Sequence, residues 1–171
     1  MSMKRIDINC TSSSAAGYNR QGTCAMLRGS YREASFYLLA AVVSDPDYWP
    51  AFFNLGNSWA KLGENEAAIW SFEQAVRNCD HHAPLFLNLG ILLCREGRFS
   101  EALPYLKQSY RLNPQGLSQS VALGYVSYRL RLYSISWYWY REANRLAPNN
   151  KKIRDSLTLA EEKFLASRNK A

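Results

Sequence analysis

Histidine is scarce in this sequence of 171 residues, which contains two, and they stand side by side as His81 and His82. A serine or cysteine nucleophile needs a base, most often histidine, and no other part of the chain supplies one. Residues 79–82 all carry metal-binding side-chain types, but four consecutive side chains cannot all point at one ion. We therefore expect a turn at this position, with no metal site and no catalytic residues.

The cysteines and glycines of the chain do not have the spacings that bind metals or cofactors. The four cysteines, Cys10, Cys24, Cys79 and Cys94, form no CxxC pair and none of the spacings of a zinc site or a small disulfide scaffold. No GxxxxGK[ST] phosphate loop is present. These absences predict reduced thiols, no cofactor and a protein that is not an enzyme.

Long apolar runs are missing as well. The longest spans residues 36–43, whereas a helix that crosses a bilayer needs about 20 apolar residues. Lys4 and Arg5 are followed by IDINCTSSS rather than by the apolar region of a secretion signal. We therefore expect a soluble protein that does not insert into membranes and is located in the cytoplasm.

What the chain does contain is a repeat with a period of 34 residues. Units that start at Ala15, Trp49, Ala83 and Leu117 align without insertion. Small residues then recur in three columns, at Gly22, Gly56, Gly90 and Gly124, at Ala34, Ala68, Ala102 and Ser136, and at Ala41, Ala75, Ser109 and Ala143. A fixed period of this length predicts units that pack on their neighbours.

Each unit is expected to be a pair of helices joined by a tight turn. Two helices approach closely only where their side chains are small, which accounts for the glycine and alanine columns. Gly29, Gly63 and Gly97 follow the first helix of their units. At the end of a helix a left-handed residue is least strained when it has no Cβ, so these glycines predict the turns.

The segments AFFNLGNSWAKLGENEAAIWSFEQAV and LFLNLGILLCREGRFSEALPYLKQSYRLNP carry these columns most completely, and through them the chain resembles tetratricopeptide repeat (TPR) proteins. The resemblance covers residues 15–150 and implies an all-α, right-handed TPR α-solenoid of four helix-turn-helix repeats. The predicted division is a flexible N-terminal segment (1–14), repeats at 15–48, 49–82, 83–116 and 117–150, and a C-terminal capping helix and tail (151–171).

The fourth repeat is divergent, and the segment after it has a helical pattern of its own. Arg131 replaces the turn glycine, and Ser127 stands where the family usually has a large residue, so the geometry of this turn is left open. After residue 150, the apolar residues Ile153, Leu157, Ala160 and Phe164 fall on one helical stripe. This stripe predicts a helix that covers the last repeat, because an open end would leave apolar surface in water.

The resemblance further implies a concave groove, lined by the first helix of each repeat, that binds a peptide or a helix of another protein. The groove positions are Arg20, Phe53, Asn54, Asn57, Lys61, Leu87, Asn88, Arg95, Tyr125 and Arg129. Asn54 and Asn88 lie one repeat apart, and asparagine amides can satisfy a peptide backbone without reading its sequence. Alternatively, these asparagines and cations serve the fold or solubility alone.

Aromatic residues on the second helices form a second candidate partner surface, on the convex side. They are Phe36, Tyr37, Trp70, Tyr105, Tyr138 and Trp139. Exposed aromatic patches often mark protein contacts, although neighbouring repeats and the capping helix can also cover such residues. Residues 137–140 are all aromatic and point around more than one helix face, so either the capping helix or a partner must cover part of them.

The charge of the chain, +7 in total, is concentrated at its C-terminal end. Residues 117–171 contain ten basic and four acidic side chains, which favours an acidic partner segment. Our first hypothesis is a protein-binding adaptor or scaffold, as a homo-oligomer or within a larger complex. Two alternatives stay open: a chaperone for a secreted client, similar to class II type III secretion chaperones, and nucleic-acid association through the basic end.

Overall fold

The computed structural model describes residues 14–169, which form nine α-helices and no strand. The helices are α1 (Ala15–Leu27), α2 (Tyr31–Ser44), α3 (Trp49–Leu62), α4 (Asn65–Arg77), α5 (Ala83–Arg95), α6 (Phe99–Leu112), α7 (Leu117–Arg129), α8 (Tyr133–Leu146) and α9 (Lys151–Arg168). The predicted all-α fold is confirmed. Residues 1–13 of the predicted flexible segment, with Cys10, lie outside the described residues.

The helix starts follow the 34-residue period. The first residues of α1, α3, α5 and α7 are the residues at which the four predicted units begin. The period also continues one step further, because α9 begins at Lys151, 34 residues after Leu117. The C-terminal helix therefore has the register of another first helix.

The helices pack into two compact units, one ending at Cys79 and the other beginning at Asp80. In unit 1, α1 pairs with α2 and α3 with α4, and α3 also packs on both α1 and α2. Leu38 and Leu55 are fully buried in its core, with Trp59 packed against them. Helices α1 and α2 meet at Gly22, where a Cβ would lie 2.6 Å from Cγ of Leu38. The glycine column therefore brings the two helices together.

Unit 2 repeats this packing and adds the ninth helix. Helix α5 pairs with α6 and α7 with α8, α7 also packs on α5 and α6, and α9 packs on α8. At Gly90 a Cβ would lie 2.5 Å from Cδ2 of Leu106. Ile153 and Ala160 of α9 are buried, while Leu157 and Phe164 are half-buried. The predicted apolar stripe of this helix thus faces the protein.

The turn of the fourth repeat has the same geometry as the other turns. Gly29, Gly63 and Gly97 have φ values between 76° and 84°, and Arg131 has φ 60°. The amide of Leu132 donates to the carbonyl of Ser127, as the amide of Arg98 donates to the carbonyl of Leu93 one repeat earlier. A left-handed arginine therefore closes the turn that glycine closes elsewhere.

The four aromatic residues of the segment 137–140 divide among different surroundings. Trp137 stacks on Phe164 of α9, with ring centroids 6.0 Å apart. Trp139 packs edge-to-face on Tyr110 of α6 at 4.6 Å. Tyr140 is buried in the unit, whereas Tyr138 is 49% exposed. The ninth helix accordingly covers one side of this segment and leaves Tyr138 at the surface.

Two further observations concern the expected thiols and the membrane prediction. Cys24, Cys79 and Cys94 are free cysteines, and the last two are buried. Within residues 14–169, no helix has both the length and the apolar character that a bilayer crossing requires.

Candidate protein-binding surfaces

One opening that bears on binding is a cleft of about 570 Å³ in unit 2. It lies between α5, α7 and the start of α9. We call it the unit 2 cleft. Its lining residues are Ile91, Cys94, Arg95, Leu117, Ser118, Val121, Ala122, Tyr125, Asn150, Lys152 and Ile153. Most of these side chains are apolar, so the cleft can accept an apolar segment of a partner.

The helical repeat explains why these residues meet. On α7, Leu117, Val121 and Tyr125 follow one another at intervals of four and therefore lie on one face. Helix α9 brings Ile153 to the same cleft because it has the register of a first helix. Helices α5, α7 and α9, which all have the register of first helices, thus line one cleft.

The charged side chains of the unit 2 cleft are both cations. Arg95 and Lys152 line it, and both are exposed to solvent. No aspartate or glutamate is among the lining residues. A cleft with an apolar lining and basic side chains is electrostatically complementary to an apolar segment that carries acidic residues.

Tyr125 is held at the edge of the cleft by its neighbours. The guanidinium of Arg129 donates to the Tyr125 hydroxyl at 2.8 Å. The same guanidinium lies over the ring of Phe99, 4.3 Å from its centroid, and Phe99 packs edge-to-face on Tyr125. Arg129 therefore orients Tyr125, and its contact with Phe99 is a cation–π interaction.

Cys94 lines the cleft as an unreactive thiol. Burial raises the pKa of this thiol to about 11, although the nearby charge of Arg129 acts in the opposite direction. With this pKa the thiol stays protonated at neutral pH. It is therefore inert, because only the thiolate acts as a nucleophile or a metal ligand. The contribution of Cys94 to the cleft is apolar surface.

The predicted groove residues of unit 2 have three different positions. Arg95 and Tyr125 line the cleft, and the exposed Arg129 is outside the lining but donates to the Tyr125 hydroxyl. Leu87 and Asn88 are half-buried on α5 and are not part of the cleft lining. The structure therefore brings together only part of the predicted set in this unit.

In unit 1, the amide of Asn54 is engaged within the protein. Its nitrogen donates to Oδ1 of Asn19 at 2.9 Å and to Oγ1 of Thr23 at 3.4 Å, and both acceptors lie on α1. The Thr23 hydroxyl in turn donates to the carbonyl of Asn19. This geometry favours the structural alternative for Asn54, because its donors link α3 to α1.

The other predicted groove residues of unit 1 lie on the same two helices. Arg20 and Lys61 are exposed, and Phe53 and Asn57 are half-buried. The ring of Phe53 lies 6.1 Å from that of Phe72, which is buried in the core. Phe53 thus contributes to packing within the α3–α4 pair.

The predicted convex aromatic residues differ widely in exposure. In unit 1, Phe36 is 70% and Trp70 is 53% exposed, and Tyr37 is half-buried against Phe36. In unit 2, Tyr138 is exposed, whereas Tyr105 and Trp139 are half-buried. Of the predicted set, unit 1 therefore presents two exposed aromatic rings and unit 2 presents one, and the other three are partly covered.

The histidine pair lies in the turn before α5. His81 is 3.2 Å from the carboxylate of Asp80, and both side chains are exposed. Burial, and secondarily the neighbouring His81, lowers the pKa of His82. Across residues 14–169, no group of three or more histidine, cysteine or acidic side chains is arranged to hold a metal ion.

Two surface features were missed by the sequence reasoning. The first is that Ile91, Val121 and Ile153 line the cleft. Extending the 34-residue period through α9 would have indicated this. The second is the exposure of Leu39 and Val43 on α2. The sequence could have indicated this exposure, because the other second helices carry charged residues at the same two positions of the repeat.

The known family model that matches this chain describes the tetratricopeptide repeat, and it matches residues 15–83 and 87–151. These ranges include all four helix pairs except residues 84–86 of α5, and they end at the first residue of α9. The chain belongs to the tetratricopeptide repeat family. The predicted resemblance is thereby confirmed, and the TPR fold supports a role as a protein–protein interaction scaffold.

Curated relatives share the repeats over part of their length. The Protein CTR9 homolog of Arabidopsis thaliana is 27% identical over 101 residues, which cover 57% of this chain and 9% of the relative. The Anaphase-promoting complex subunit CDC16 of Saccharomyces cerevisiae is 27% identical over 112 residues, or 61% of this chain and 13% of the relative. This TPR chain spans only a small part of those two proteins.

Solved structures match the TPR chain over most of its length. MamA has a TM-score of 0.82 at 19% identity, covering 88% of this chain and 82% of MamA. YrrB, described as a TPR protein with an unusual peptide-binding site, has a TM-score of 0.83 at 18% identity, covering 86% and 76%. At these identities the likeness establishes the TPR helical solenoid fold and nothing further.

Proposed function

We propose that this TPR chain is a non-enzymatic adaptor that binds an apolar segment with acidic side chains, as a peptide or a helix, in the unit 2 cleft. The observation that carries the proposal is the composition of the cleft, whose lining is apolar and whose charged residues, Arg95 and Lys152, are cations. An apolar segment gains from leaving water, and acidic side chains at its edges pair with the cations.

The shape of the cleft also supports this partner. It is bounded by three helices, and it has room for several side chains rather than for a whole folded domain. Tyr125 stands at its edge in an orientation fixed by Arg129 and Phe99. An aromatic residue that is already oriented loses little conformational freedom on binding, which favours its use as an anchor.

Two similar proteins have descriptions that agree with an adaptor role. YrrB is described as having a peptide-binding site, and CDC16 is named as a subunit of a complex. We extend both properties to this chain as part of the proposal, with membership of a larger assembly as the expected context.

The test is binding of the chain to an array of short peptides that vary in apolar and acidic content. Peptides that combine both features should bind best, and Arg95→Glu should weaken them at least about tenfold, since it replaces an attraction with a repulsion. Lys61→Glu is the matched control, because Lys61 has the same register one repeat earlier and lies outside the cleft.

The results separate the alternatives. Equal losses with Arg95→Glu and Lys61→Glu would reject the cleft as the site. Oligonucleotide binding that survives moderate salt would favour the nucleic-acid alternative, because simple polyelectrolyte attraction fades as salt rises. Aggregation of one secreted protein in cells that lack the chain would favour the secretion chaperone.

A further inference from the structure

Helix α2 in unit 1 carries an apolar stripe that faces solvent. Phe36 is 70%, Leu39 42% and Val43 81% exposed. We call these three residues the α2 stripe. Their spacing of three and four residues places them on one side of the helix, and Arg32, four residues before Phe36, continues the same line. Water-exposed apolar side chains in a row of this kind mark a contact surface.

The other repeats show that the fold does not require two residues of the α2 stripe, Leu39 and Val43, to be apolar, whereas the equivalents of Phe36 are the uncharged Trp70, Pro104 and Tyr138. The residues equivalent to Leu39 and Val43, at steps of 34, are Glu73 and Arg77 on α4, Lys107 and Arg111 on α6, and Arg141 and Arg145 on α8. Three second helices thus carry charged residues where α2 is apolar. The fold tolerates charge at these two positions, so packing within the unit does not account for Leu39 and Val43.

We propose that the α2 stripe binds the α2 stripe of a second copy of this chain, as an antiparallel helix pair related by a two-fold axis. Spacings of three and four residues are those with which two helices interlock side by side. With the axis beside Leu39, Phe36 of each copy packs on Val43 of the other. Each stripe then covers the other.

Charge complementarity favours a second copy of the chain as the partner and an antiparallel orientation of the two helices. Arg32 is exposed at the N-terminal end of the stripe, and Asp45 and Asp47 are exposed just beyond its C-terminal end. In the antiparallel pair each Arg32 lies beside the partner's acidic turn and beside the negative end of the partner's helix dipole. A parallel pair would place like charges together, which opposes association. The surface is therefore complementary to itself.

The size of the α2 stripe sets the strength of the pair. A stable protein interface buries about 800 Å² on each partner, which is more than one 14-residue helix with three apolar side chains supplies. The dimer is accordingly weak, and sedimentation should sample the full chain up to about 1 mM. The proposed dimer does not depend on the proposed function, because the unit 2 cleft takes no part in it.

Sedimentation equilibrium of the full chain tests the proposal. The average mass should rise towards that of a dimer with concentration. Leu39→Glu with Val43→Arg, which gives α2 the residues of α4, should weaken dimerisation at least about tenfold because it places charge in the interface. The control, Glu73→Arg with Arg77→Glu at the same register of α4, should leave the dissociation constant unchanged. A monomer at every concentration, or a dimer unaffected by the α2 variant, overturns the proposal.

A charge exchange tests the antiparallel arrangement. Arg32→Glu and Asp47→Lys should each weaken dimerisation alone, because each places like charges at both ends of the pair. An equal mixture of the two variants should dimerise again, since both contacts between positions 32 and 47 then join opposite charges. Failure of the mixture to associate, with both variants folded by circular dichroism, excludes this arrangement. Association with some other protein would not be restored by mixing.

Discussion

The side-chain amide of Asn54 donates a hydrogen bond to the side-chain oxygen of Asn19 at 2.9 Å, and this bond joins the first helices of the first two repeats. Both residues are half-buried, so the bond is partly shielded from water. It also connects two residues that the 34-residue period does not align, because Asn54 has the register of Arg20. The contact depends on helix packing rather than on the repeat.

Removing this bond should lower the stability of the chain. Asn54→Ala leaves the Asn19 oxygen without its donor and is expected to reduce the free energy of unfolding by about 1 kcal/mol. A double-mutant cycle with Asn19→Ala, followed by urea denaturation, should give a coupling of about 0.5–1.5 kcal/mol. The exposed Asn149→Ala is the control and should change stability little. Additive effects at positions 19 and 54 would contradict the assignment.

The turn of the fourth repeat gives a second prediction. Arg131 has a left-handed backbone, which costs an L-residue about 1–2 kcal/mol, and part of this cost is offset because glycine is more flexible when unfolded. Arg131→Gly should therefore raise the free energy of unfolding by about 0.5–1 kcal/mol. Thermal or urea denaturation measures the change.

The neighbouring residue supplies the matched control for this substitution. Leu130 has φ −81°, which suits any L-residue. Leu130→Gly should thus destabilise the chain, by about 1 kcal/mol, since it adds flexibility without relieving strain. The reverse change Gly97→Arg should also destabilise, and no atom lies within 4 Å of the position of its Cβ to complicate the result. If Arg131→Gly and Leu130→Gly shift stability in the same direction, backbone strain at Arg131 is not the cause.

The fold could be predicted from the sequence because each repeat shows the same packing columns. Small residues such as Gly22 and Gly90 contact Leu38 and Leu106, and four copies of one contact make it visible without a structure. The surfaces were less predictable, because they depend on departures from the repeat. Phe36 and Tyr37 were predicted as partner-surface aromatics, but Leu39 and Val43 were identified only as part of the longest apolar run. Their exposure follows because, among residues 14–169, no helix packs on that side of α2.

Only some of the residues that line the cleft could be predicted from the sequence. Arg95 and Tyr125 belong to first helices and were expected to face a partner. Lys152 and Ile153 were assigned to a cap, because an apolar stripe indicates that a helix covers something but not what else its ends contact. Position in the register identified the helix, whereas the cleft arises from the packing of three helices.

Two buried serines are expected to respond in opposite ways to the same substitution. Ser127 is fully buried and its hydroxyl has no hydrogen-bond partner, whereas the buried Ser136 hydroxyl donates to the carbonyl of Gly124 at 2.9 Å. Ser127→Ala should raise the free energy of unfolding by about 1 kcal/mol, because it removes an unpaired polar group from the core. Ser136→Ala should lower it by a similar amount. Urea denaturation of both variants provides the measurement, and a loss with Ser127→Ala would indicate a partner for its hydroxyl.

The buried thiol of Cys94 predicts how stability depends on alkaline pH. Burial raises its pKa from 9.0 to about 11, so the folded chain keeps a proton that the unfolded chain loses over this range. The contribution of this group to stability is complete below about pH 9 and is lost as pH rises to about 11. Burial likewise raises the pKa of Tyr140, which extends the decline to higher pH.

Replacing Cys94 shows how much of the loss of stability at alkaline pH comes from its thiol. Cys94→Ala should flatten the fall in melting temperature between about pH 9 and pH 11, because the variant has no thiol at this position to ionise on unfolding. Cys24→Ala removes a less buried cysteine and is the matched control, which should keep the steeper decline of the original chain. An unchanged slope in Cys94→Ala would mean that the thiol is solvated in the folded state. Because the same burial makes Cys94 part of the apolar wall of the cleft, that outcome would also weaken the proposed binding site.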